Sequence, residues 1–118
     1  MTASIQDSDK PGIVWEFSQA VNMTPKELER WLETEHSKEV GWHQDGEAEA
    51  VGHQSGRAIV ALRHKKKADL TDEDYRQMRR VIGYVHRHLA QRPSGDVADT
   101  RWRYSLMNWG HDPLKDKG

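Results

Sequence analysis

The chain has no cysteine, and that absence removes disulfide frameworks, thiolate metal sites and thiol nucleophiles together. It matches the usage of a reducing interior, so a cytoplasmic location is the expectation. Long apolar runs are missing too. The longest, Ala58-Ile59-Val60-Ala61-Leu62, falls far short of the roughly 20 residues that a membrane span needs, and the polar N-terminus lacks the apolar region of a signal peptide. No membrane partner is implied. There is no Gly-rich phosphate loop, nucleophile elbow or HExxH pattern, so the reading leans away from an enzyme and implies no cofactor and no catalytic residue. The acid pairs Asp72/Asp74 and Glu33/Glu35 are explained by helix starts and exposed faces rather than by a catalytic dyad. Phenylalanine occurs once and hydrophobic residues make up 35% of the chain, but five Trp and three Tyr supply large buried areas from few side chains.

The 118 residues suit one domain with a self-sufficient core. Residues 1–10 are polar and aperiodic and read as a flexible leader, 11–112 as a single helical domain, and 113–118 as a frayed end. Ile13, Val14, Phe17 and Val21 recur at helical spacing, with Trp15 off that stripe. Thr24-Pro25-Lys26-Glu27 is a capping box that opens a second helix, with Leu28, Trp31 and Leu32 inward. Residues 41–54, with three Gly, several acids and no period, read as a long exposed loop. Ser55-Gly56 then caps a helix over about 57–67 whose Ala58 to Leu62 run is apolar on all sides, which makes it the most enclosed element. Thr71 and three following acids open the longest helix, to about Gln91. There Tyr75, Met78, Ile82, Val85 and Leu89 form the inner stripe. A last helix from Asp99 or Thr100 buries Trp102, Leu106 and Trp109 and stops at Gly110. No period-two pattern is present. The expected fold is an all-α, compact single-domain bundle of about five helices.

What the near-neutral total hides is segregated charge. Residues 1–52 hold eleven Asp/Glu against four Lys/Arg, and residues 57–92 hold ten Lys/Arg against four Asp/Glu. The cations Arg57, Arg63, Lys65, Lys66, Lys67, Arg76, Arg79, Arg80 and Arg87 fall on two consecutive helices, with Arg101 and Arg103 nearby. Arg76, Arg79, Arg80 and Arg87 lie opposite the inner stripe, and Arg76 to Arg87 span about 16 Å at 1.5 Å per residue. Such a ridge suits phosphate contacts with DNA or RNA, and these eleven residues are the candidate nucleic-acid-binding set. Competing explanations are cations complementing a helix C-terminus, solvated surface, and pairing with the acidic first half within the fold or between subunits of a homo-oligomer. The alternative function is therefore a protein-interaction or self-assembly module.

Seven histidines raise the question of a metal. His86 and His88 stand about 200° apart on a helix, and His36, His43, His53, His64 and His111 show no ligand spacing, so no metal site is assigned.

The runs Asn22-Met23-Thr24-Pro25 with Leu28, Trp31 and Leu32, then Gly52-His53-Gln54-Ser55-Gly56-Arg57, then His86-Arg87-His88-Leu89-Ala90-Gln91-Arg92-Pro93, and finally residues 101–113 together resemble a family. It comprises small bacterial and fungal proteins grouped as a domain of unknown function, some members of which carry a DNA-binding label. The resemblance implies DNA binding but supplies no reaction, cofactor or binding residues. Leu28 to Leu32 followed by Ser55-Gly56-Arg57 is more loosely similar to helix–loop–helix modules of the SAP type, from which the long acidic loop departs.

Overall fold

The computed structural model describes residues 5–40 and 51–115, and these are helical and strand-free. A 3-10 turn at Asp7–Asp9 leads into α1 (Lys10–Ala20), followed by α2 (Pro25–Leu32), α3 (Glu35–Glu39), α4 (Val51–His64), α5 (Asp72–Leu89) and α6 (Arg101–Asn108). Two packing groups make the bundle: α1 lies along α5, while α2, α4 and α6 pack mutually, α3 rests on α2 and α6, and α6 touches α5.

Helix starts follow the local chemistry. At α2 the Thr24 hydroxyl accepts from the Glu27 N–H at 3.1 Å and the Glu27 carboxylate accepts from the Thr24 N–H at 2.8 Å. The same reciprocal box joins Thr71 and Asp74 at α5, and Thr100 accepts from Arg103 N at α6. Each arrangement satisfies amide groups that a helix N-terminus leaves without partners. The inner stripe of α5 is Tyr75, Met78, Val81, Ile82 and Val85, with Leu89 half-buried.

Three expectations are corrected. The helix assigned to 57–67 runs instead over Val51–His64, so Ser55 and Gly56 lie inside it and are buried; of the loop assigned to 41–54, residues 51–54 are helical and 41–50 lie outside the described residues. Nor is α4 enclosed on every side. Ile59 and Leu62 are buried, but Ala61 faces solvent. The second helix stops at Leu32, and Thr34 caps the separate short α3 by accepting from Ser37 N. Finally, burial of Ile5 extends the core into the segment read as a leader, whose residues 1–4 lie outside the described residues.

The end of α6 joins the two groups. Gly110 has φ +80°, its N–H donates to Met107 O, and His111 N–H donates to Leu106 O. This left-handed glycine with paired 5→2 and 6→1 bonds terminates the helix. Gly110 O then accepts from Met23 N, and Asn22 and Asp112 exchange two hydrogen bonds at 3.0 and 2.8 Å. Beyond them Lys115, placed by sequence in a frayed tail, donates to Asn22 O and to the Glu27 carboxylate, both at 2.6 Å. Residues 116–118 lie outside the described residues.

Glu27 consequently titrates far from its ordinary value. The hydrogen bond from Lys115, aided by the Thr24 amide, lowers its pKa from 4.5 to about 2. Folded pKa below unfolded pKa means that the stabilisation is complete above 4.5 and is lost as pH falls toward 2. Acid titrations of the melting temperature should therefore show a steeper fall between pH 4.5 and 2 for wild type than for Glu27→Gln. Because the carboxylate is half-exposed, that difference should shrink in high salt. Parallel curves for the two proteins at low salt would contradict it.

Candidate nucleic-acid interface

The eleven cations do not form one unoccupied strip. On α5, Arg76 and Arg80 both engage Glu73, at 3.1 and 3.3 Å, and Arg80 also donates to Gln77. The Arg76 hydrogen bond, then that of Arg80, holds the Glu73 carboxyl below its usual range. Arg79 reaches Asp9 of the acidic first half at 3.6 Å. At the end of α4, Lys65 pairs with Asp74 at 2.7 Å. Burial pushes the Asp74 carboxyl up, but hydrogen bonds from Lys65 and the Thr71 amide outweigh it and lower the pKa. Arg63 donates to Val21 O at 3.3 Å, and Arg57 lies toward Glu29 and Glu33 on the α2 side of α4. Arg103 is fixed by a bidentate pair with Asp112, 3.1 Å at each arm, and by Ala98 O at 2.9 Å. It serves the α6 turn rather than an open surface.

Lys66, Lys67, Arg87 and Arg101 make no ion pair among the described residues and are exposed. Arg87 folds back over Gly83, where an added Cβ would stand 3.0 Å from its guanidinium. The four arginines of α5 thus meet two carboxylates, Glu73 against Arg76 and Arg80 and Asp9 against Arg79, so that side retains positive charge. Lys66 and Lys67 lie near the start of α5, and Arg87 lies near its end.

Sequence reasoning passed over an aromatic column between α5 and α6. Trp109 stacks on Tyr84 with centroids 4.2 Å apart, Tyr84 on His88 at 5.1 Å, and His88 on Trp102 at 6.2 Å, while the Arg92 guanidinium lies 5.5 Å from the Trp102 ring. Trp102 Nε1 donates to His88 O at 2.7 Å. Burial lowers the His88 pKa and raises that of Tyr84, in each case disfavouring the charged form. The signal was the i, i+4 spacing of Tyr84 and His88 facing the i, i+7 pair Trp102 and Trp109. A second cluster places Tyr104 between Trp31 and His36, at 5.4 and 4.6 Å. These contacts account for three tryptophans as structural groups. Trp15 differs: it is 62% exposed and lies outside both clusters.

Among the described residues, no three His, Asp or Glu side chains are placed to hold a metal, and no helix is long and apolar enough to cross a membrane.

The geometry defines a small all-helical domain with an arginine-rich outer helix face. Residues 16–107 match the family described as "Protein of unknown function (DUF3140)", and since that span is most of the chain, the protein belongs to this family. Neither the curated proteins nor the solved structures contain a match.

Proposed function

We propose that this protein is a nucleic-acid-binding helical domain that acts through phosphate contacts from the outer side of α5 and the Lys66, Lys67 corner. The observation that carries this reading is the positive outer side of α5, where Arg76, Arg79, Arg80 and Arg87 are accompanied by two carboxylates, Glu73 and Asp9. Surface pairs of this kind are weak, of order 0–1 kcal/mol each. A phosphate can replace a carboxylate partner there with little cost, and condensed counterions released from the polyanion favour the exchange. Arg103 drops out of the footprint because its bidentate, half-buried pair is structural. The self-assembly reading has less support, since Arg79 already meets Asp9 within one chain. A base-reading element is not part of the proposal.

Fluorescence anisotropy with labelled duplex and single-stranded oligonucleotides across a potassium chloride series tests it. The binding constant should fall log-linearly with salt. Arg80→Glu with Arg87→Glu should weaken binding at least tenfold and flatten the slope by roughly 0.7–0.9 for each phosphate contact removed. Binding that ignores salt and both reversals rules the mechanism out.

A further inference from the structure

A lone indole on a helix exterior contributes little to the core and leaves a large, rigid apolar face open to a ligand. Trp15 is such a residue. It stands on α1 about 140–160° from the buried Ile13, Phe17 and Ala20. On one side of it α1 borders a groove of about 280 Å³. The apolar floor is made by Val14, Phe17 and Leu70, and the cationic rim by Arg63, Lys65 and Lys67. Helical spacing sets Trp15 about 100° from Val14 and about 60° from Ser18, which both line the groove, and the Ser18 hydroxyl donates to the Trp15 main-chain oxygen at 2.7 Å.

Three cations around a shallow apolar groove, with an exposed indole on the adjoining face of α1, suit the two requirements of a single strand: positive charge for the backbone and an aromatic face for a base. A duplex has its bases already stacked and offers the indole nothing. Charge decides against an acyl chain or an apolar peptide as the occupant, since Lys67 makes no ion pair among the described residues and Lys65 meets a single carboxylate, Asp74. We infer that the groove between α1 and the end of α4 binds single-stranded nucleic acid, with Trp15 stacking on an unpaired base and Lys67 and Lys65 contacting adjacent phosphates. This rests on the proposed nucleic-acid function and narrows it to a strand type and a position.

The test measures anisotropy of a labelled single-stranded oligonucleotide and of a blunt duplex of the same sequence with wild type, Trp15→Ala, Trp15→Phe and Lys67→Gln. Because Trp15 is exposed, all four should keep the same circular dichroism and melting temperature. Trp15→Ala should lose about tenfold in single-strand affinity while duplex binding changes by less than about twofold. Trp15→Phe should recover most of that loss, and Lys67→Gln should reduce the single-strand salt slope by about 0.7. Equal losses on both substrates, or none on the single strand, would overturn the groove assignment while leaving salt-dependent binding by α5 intact. Absence of salt-dependent binding in wild type would instead remove the broader reading.

Discussion

Gly56→Ala should lower stability by about 2–3 kcal/mol, which for a domain of this size is a fall of roughly 8–12 °C in melting temperature. The sign is what makes the result informative. In an exposed helix interior, replacing Gly by Ala stabilises by up to about 1 kcal/mol, because alanine has the higher helix propensity and leaves the unfolded chain less entropy to lose. Gly56 lies inside α4 where it crosses α6 and α2. A Cβ there would stand 2.6 Å from the main-chain oxygen of Asn108 and 2.6 Å from Leu32 Cδ2. No rotamer change relieves the first contact, since the obstacle is backbone, and Leu32 is itself buried. The helices must separate, and the packing around Ile59 and Leu106 loosens with them. Gly12→Ala is the internal control: nothing lies within 4 Å of a Cβ there, and it should be neutral or stabilising by a few tenths of a kcal/mol. Thermal melts of the two variants side by side decide the matter, and a Gly56→Ala protein as stable as wild type would show that α4 and α6 do not approach as described.

The same glycine explains why the start of α4 was misread. Gly52 and Gly56 within an acid-rich, aperiodic stretch look locally like loop, because intrinsic propensity penalises glycine in a helix. Tertiary approach overrides that penalty, and nothing in the local sequence announces the approaching partner. Elements set by neighbours a few residues away were legible: the Thr24/Glu27 and Thr71/Asp74 boxes, the Thr100 cap, and the inner stripe of α5. Helix α3 was not. Its five residues Glu-His-Ser-Lys-Glu carry no apolar period, and the helix exists because Thr34 caps it and Ser37 finds a distant buried partner. At the candidate site the positions of the cations on their helices were legible, whereas their pairing was not. Lys65 with Asp74, Arg79 with Asp9 and Arg103 with Asp112 join residues that only the fold brings together. The off-stripe placement of Trp15 was visible from periodicity, but the groove beside it needs α1, the end of α4 and Leu70 together.

Asn108→Leu should be the most damaging single change, costing about 3–5 kcal/mol. Asn108 and Ser37 are both fully buried. The Asn108 side-chain oxygen accepts from Trp31 Nε1 at 2.7 Å and from Ser37 Oγ at 2.5 Å, and its amide donates to Ser37 O at 3.0 Å. One side chain thus holds α2, α3 and α6 together through three hydrogen bonds. Leucine nearly preserves volume but leaves an indole N–H, a hydroxyl and a carbonyl without their partner, and each buried unpaired group costs roughly 1–3 kcal/mol. Removing a second member should return part of the loss. Ser37→Ala deletes the stranded hydroxyl, so Asn108→Leu with Ser37→Ala should be destabilised by less than the sum of the two single changes, with a coupling of about 1 kcal/mol or more. Asn108→Asp separates geometry from charge: it keeps both acceptor contacts but sets a carboxylate against the Ser37 carbonyl oxygen. That variant should therefore gain stability as pH falls, when its buried acid takes up a proton and can donate in place of the lost amide. Urea unfolding of wild type and the four variants, followed by tryptophan fluorescence, gives the comparison. A loss below about 1 kcal/mol for Asn108→Leu, or strict additivity with Ser37→Ala, would mean that α3 is held to α6 by something other than this network.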